Sequence, residues 1–210
     1  MTTPAQLVET ISRVTGMPLP TIVDIDRKLV KGSLRTKGGR GLNAAQMTPL
    51  DAARLLTAVL ASPQANAAAE AVGRYARTRV DKARSSDTIY MSAQLDDLST
   101  LPAGHSFVDA LASLIRSVST GPLAKLFSRA GEDGAPQIEV FAFTRATRGR
   151  IRIAGLPNRL TASVEYAPMR GVHAPRSGAP GDLEQSRRIT ERTILSVAQL
   201  LGLEDGHDRS

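Results

Sequence analysis

Residues 27–42 read RKLVKGSLRTKGGRGL. Leu29 and Val30 end an apolar pattern of helical spacing that begins near Pro20, Gly32 supplies its stop, and Gly38, Gly39 and Gly41 prevent a new helix from starting at once. The segment after Gly32 is too short and too glycine-rich to be helical, so it is expected to form a β-hairpin or extended wing with a basic tip. Six cations (Arg27, Lys28, Lys31, Arg35, Lys37, Arg40) and no acid lie between positions 27 and 40.

Working toward the N-terminus, Leu7, Val8, Ile11 and Val14 fall at helical spacing behind a Thr2 or Thr3 cap, and Thr15-Gly16 closes that helix. Pro18 and Pro20 suit the first turn of a second helix, expected over about 20–31 with Ile22, Val23, Ile25, Leu29 and Val30 inward. Toward the C-terminus, Thr48-Pro49 opens a third helix with Asp51 in its first turn. Helix, tight turn, helix, basic wing, helix is the order of a winged helix-turn-helix. The order TG–helix–GSLRTKGGRG–MTPLDAARLLTAVLAS resembles winged-helix modules of bacterial and phage DNA-binding proteins. The resemblance covers residues 1–62 and implies a DNA-binding domain there.

A fourth helix is expected from Ser62-Pro63 to about Arg84, basic at its end (RYARTRVDKAR), followed by an irregular linker to residue 104 in which Thr88–Met91 is a candidate short strand. Ser106-x-x-Asp109 caps a helix over 106–119. The period then changes to two over 137–143, 150–154 and 160–166, which predicts a three-stranded antiparallel meander, with Ile151 and Ile153 facing opposite to Arg150 and Arg152. A proline- and glycine-rich loop leads to a last helix expected from Asp182 to about Leu201, and 204–210 reads as a flexible tail. The fold class is thus α+β: a winged helix-turn-helix at 1–62, a basic helix and linker at 63–104, and an α+β oligomerisation or partner domain at 105–203.

Charge is unevenly placed. Residues 1–84 hold 13 lysines and arginines against 6 acids, the remainder 14 against 14, so the whole net charge of +7 belongs to the N-terminal part. A field concentrated on one module suits a polyanion partner, because each neutralised phosphate releases counterions. That module has no aromatic residue before Tyr75. Single strands and RNA are usually gripped by stacking platforms, so duplex DNA is the expected partner. The expected contacts are Thr21, Arg27, Lys28 and Lys31 on the second helix, Arg35, Lys37 and Arg40 on the wing, and Arg74 and Arg77 beyond. The plain alternative for Lys28 and Lys31 is a solvated helix end complementing the dipole. Asp24 and Asp26 count against a recognition helix because acids repel phosphates.

Cysteine is absent, and the histidines at 105, 173 and 207 have no ligand spacing, so neither metal nor cofactor is expected. No phosphate loop, nucleophile elbow or HExxH pair occurs, and Ser106 and Asp109 near His105 are explained as cap residues. No run approaches the roughly 20 apolar residues of a membrane span. The sequence thus predicts a cytoplasmic, non-enzymatic, duplex-DNA-binding homo-oligomer, a dimer in preference, used in transcription regulation. The rivals are a phage-type packaging or genome-handling factor and a structural subunit of a multiprotein assembly.

Overall fold

The computed structural model describes residues 2–37, 45–85, 101–102, 104–129, 134–144, 147–156, 160–169 and 185–202. Helix α1 (Pro4–Thr15) starts at a capping box in which Thr3 Oγ1 accepts the Gln6 amide and the Gln6 side chain accepts the Thr3 amide. Gly16 ends it at φ 72°, a left-handed conformation that glycine adopts without steric cost, and the chain re-enters a helix three residues later as α2 (Leu19–Lys31). Helix α3 (Pro49–Ala61) opens on a second box between Thr48 and Asp51 and is buried on almost every side, as befits a helix apolar all round. Helix α4 (Ala68–Tyr75) leads into strand β1 (Thr78–Val80). Helix α5 (Phe107–Ser119) starts at the Ser106–Asp109 box, and α6 (Pro122–Arg129) follows. Strands β2 (Gln137–Phe143), β3 (Arg148–Leu156), β4 (Leu160–Pro168) and β5 (Ser186–Thr190) precede α7 (Glu191–Gly202).

The five strands form one antiparallel sheet in the order β1-β4-β3-β2-β5. Alternation sends Ile138, Val140, Ala142, Gly149, Ile151, Ile153, Ala162, Val164, Tyr166 and Ile189 to one face, where all are buried under α3, α5 and α7. The opposite face carries Glu139, Arg148, Arg150, Arg152, Glu165 and Arg188.

The expected meander is therefore present as β2-β3-β4, enlarged by a strand at each edge. Two helices are corrected by those edges. The helix expected over 63–84 is a 3-10 turn at Ala65–Ala67, then α4, then β1, because Thr78 turns the chain: its hydroxyl donates to the Tyr75 carbonyl (2.7 Å) and accepts the Phe107 amide (3.2 Å). The helix expected from Asp182 begins only at Glu191, since 186–190 pairs with β2. The expected division at residues 62 and 104 does not coincide with a break in packing. One apolar cluster runs from Leu7 to Ala198, α1 packs on α7, and the Thr2 hydroxyl donates to the Leu200 carbonyl (2.9 Å). The described flanks of the expected wing, 33–37 and 45–48, are not strands; its tip, with Arg40, lies outside the described residues, as does the Thr88–Met91 candidate.

Tyr75 joins the two halves of this core. It is buried, its ring meets Phe107 edge-on (centroids 5.3 Å apart), and its hydroxyl donates to the carbonyls of Phe143 (3.0 Å) and Arg148 (2.8 Å) at the β2–β3 turn. Tyr75→Phe keeps the ring and removes only this tie, so a loss of about 1 kcal/mol is expected, or about 2–4 °C in melting temperature. Thermal unfolding followed by circular dichroism measures it, and no shift would show that the hydroxyl is dispensable.

Candidate nucleic-acid interface

Helix α2 buries Ile22, Ile25 and Leu29 and turns Asp24, Arg27 and Lys31 to solvent, with Thr21 and Lys28 half-buried at the edges of that face. Asp26 does not share it. Ser33 takes φ 57°, a left-handed conformation uncommon for a side-chain-bearing residue, while the Leu34 amide returns to the Leu29 carbonyl (2.9 Å). This reversal carries Arg35 back along the helix, and its Nε lies 2.7 Å from Asp26 Oδ1. The Arg35 side chain is only 11% exposed. Burial pushes the Asp26 carboxyl up from its usual range, with Arg35 opposing. Arg35 thus binds an internal carboxylate, which departs from the expected phosphate contact and removes one of the two acids that weighed against α2.

The segment from Thr36 to Thr48 is held at both ends by one side chain. Asp51, on α3, accepts the Thr36 amide on Oδ1 (2.8 Å) and the Thr36 hydroxyl (2.9 Å), Thr48 amide (3.1 Å) and Thr48 hydroxyl (2.7 Å) on Oδ2. Arg54 adds a donor to the Leu34 carbonyl (3.1 Å). Lys37 is exposed just before the undescribed stretch, its Nζ 3.4 Å from Ser33 Oγ. Arg74 pairs with Glu70 along α4 and Arg77 is exposed. Both flank Tyr75, which places them at the α4–β1 corner beside the β2–β3 turn.

The outer sheet face is a second charged surface. Glu139 on β2 accepts from Arg152 on β3 (2.8 Å) and Arg188 on β5 (2.7 Å), and these bonds, Arg152's first, hold its carboxyl below the usual range. Glu165 on β4 accepts Arg150 Nε (2.8 Å), with Arg148 Nε 3.9 Å away. Phe141 and Phe143 stack along β2, centroids 6.4 Å apart and 19° between planes, with Arg148 4.5 Å above Phe143 and Arg150 near both rings. Sequence alternation places Arg150 and Arg152 on this side; the part of Arg188 was missed because it requires knowing that β5 pairs with β2. Residues 145–159 hold five arginines, of which Arg145 and Arg159 lie outside the described residues.

Elsewhere, Arg187 points inward and donates to the Val59 and Ser62 carbonyls (2.9 Å each), a cation at the C-terminus of α3. His105 Nδ1 faces the Pro102 carbonyl and Nε2 the Tyr166 hydroxyl (2.9 Å). The concavity between the ends of α5 and α7, lined by Val118, Ser119, Ala198, Gln199 and Gly202, holds no titratable side chain. Among the described residues no three histidines or acids gather as a metal site, and no helix is long and apolar enough to cross a membrane. No protein-family model, curated protein or solved structure matches this chain.

Proposed function

We propose that the chain binds duplex DNA through α2 and the segment that follows it, as a winged helix-turn-helix used in transcription regulation. The observation that carries this reading is the sorting of charge on α2. Asp26 is turned inward onto Arg35, while Arg27, Lys28, Lys31 and the following Lys37 are left with Asp24 as the acid on their face. The three-residue turn at Gly16–Pro18 gives α1 and α2 the close succession of a helix-turn-helix. On this reading Thr21 and Asp24 lie nearest the bases and the cationic end of α2 nearest the phosphates. Arg35 acts through Asp26 as a positioning residue. A dimer belongs to the proposal, since a single small module buries too little surface to select a site among genomic competitors.

The test is binding of the whole chain to mixed-sequence duplex DNA across a salt series, beside Arg27→Ala/Lys31→Ala/Lys37→Ala. Binding that weakens steeply with salt is expected, and the variant should flatten the log–log slope by about 0.9 for each phosphate it no longer neutralises, about 3 for the three cations together. No binding at about 50 mM salt, or an unaltered slope in the variant, overturns the proposal.

A further inference from the structure

Resting on the duplex reading of α2, we propose that Asp24 is its base-reading residue: the carboxylate accepts the amino group of a cytosine in the major groove, so the sequences bound carry a G·C pair at that position. At about 100° per residue, the exposed arc of α2 runs from Arg27 through Lys31 and Asp24 to Lys28 and Thr21, which puts Asp24 on its midline, with Arg27 about 60° to one side and Lys28 about 40° to the other. Both neighbours are cations. Asp24 is exposed and is the sixth residue of the helix, beyond the first turn in which an acid offsets the macrodipole. Lys28 at i+4 and Arg27 at i+3 have the spacing of a helix ion pair, yet among the described residues neither is paired with it. The other acid of the helix, Asp26, is turned inward onto Arg35. Asp24 therefore serves neither the helix end nor an ion pair, and on a face that meets phosphates an acid without a partner only repels them. A donor on a base edge supplies that partner.

The chemistry of the carboxylate selects the base. An ionised aspartate accepts hydrogen bonds and donates none. In the major groove guanine shows two acceptors and thymine an acceptor beside a methyl group, so neither gives Asp24 a donor. Adenine offers its N6 amino group beside the N7 acceptor, whose lone pair faces the second carboxylate oxygen. Cytosine shows an amino group with no acceptor next to it on the same base. The guanine of that pair presents O6 and N7, which suit the cations on either side of Asp24, so α2 holds complementary groups for both halves of a G·C pair.

The test equilibrates the full chain with a duplex library of about 20 randomised base pairs at about 50 mM salt and sequences what is bound, for wild type, Asp24→Asn and Asp24→Ala. Asp24 is exposed, so both variants should melt as wild type does. Wild type should enrich duplexes with cytosine at one fixed position, and changing that base in the best duplex should weaken binding about tenfold or more. Asp24→Asn should move the preference to adenine, whose N6 and N7 an amide side chain meets as a pair. Asp24→Ala should lose the preference at that position alone and keep its affinity for mixed-sequence duplex. An enriched set without a fixed cytosine, the same cytosine preference in Asp24→Ala, or a loss of affinity for all sequences alike in that variant overturns the assignment. Each of these leaves the duplex reading standing where wild-type binding falls steeply with salt and the α2 triple variant flattens the slope. Failure of wild type to bind any duplex overturns both.

Discussion

Gly149→Val should leave the chain without a cooperative unfolding transition, and Gly149→Ala should lower the melting temperature by about 5–10 °C. Gly149 sits on the inner face of β3, paired with Ala142 on β2 and Tyr166 on β4, and the Phe107 ring lies directly on its Cα. A Cβ built there would fall well inside van der Waals contact with three carbons of that ring. The ring has nowhere to go. It is fully buried, edge-on to Tyr75 at 5.3 Å and to Tyr166 at 5.8 Å, with its amide bound to Thr78. Overpacking of this kind costs about 1–3 kcal/mol for one methyl group and more for a branched side chain. Phe107→Leu in the Gly149→Ala background should restore part of the loss, a non-additivity that direct contact produces. Circular dichroism melts of the four proteins settle it; an alanine variant within about 2 °C of wild type, or single effects that simply add, would refute the close packing.

The cluster around Phe107 also spans the boundaries expected from sequence at residues 62 and 104. Tyr75 and Thr78 come from the basic region, Phe107 from α5 and Tyr166 from β4, so stretches that the sequence pattern separates share one core. Charge is segregated along the chain, but burial is not.

What was legible depended on local rules. Thr3, Thr48 and Ser106 were readable as caps because their partners stand three residues away. The meander was readable because Ile151 and Ile153 alternate with arginines in strands long enough to show a period. The edge strands were not. β1 has three residues and β5 buries only Ile189, so neither pattern separates a strand from a helix, and both are fixed by hydrogen bonds to distant partners. The Asp26–Arg35 pair was hidden for the same reason, since it depends on the left-handed turn at Ser33. The lack of aromatics before Tyr75 bears on the basic module alone; Phe141 and Phe143 stand on β2, Phe143 buried beneath Arg148.

Asp51→Ala should destabilise the chain by about 3 kcal/mol and loosen both ends of the segment joining α2 to α3. The carboxylate is buried, and its removal strands the amides and hydroxyls of Thr36 and Thr48 together. Asparagine is a poor substitute: its oxygen satisfies the Thr36 amide, but its amino group then faces the Thr48 amide, donor against donor. Burial alone would raise the Asp51 carboxyl; the four donors outweigh it and hold the group below its ordinary value of 3.8. A depressed folded value means that the ionised form is the one bound more tightly. Its contribution is therefore complete above about pH 4 and is lost as pH falls through the folded value. Asp26 runs the other way, because its raised value favours the folded state as the group protonates. The gap in stability between wild type and Asp51→Ala should accordingly be widest near neutrality and close on acidification, which urea titrations at several pH values measure. Tryptic cleavage after Lys37 should quicken in the variant at neutral pH, and duplex binding through α2 should weaken with it. A gap that persists unchanged into acid would mean that Asp51 acts through packing rather than through its charge, and unaltered cleavage would show that the segment is fixed by other contacts.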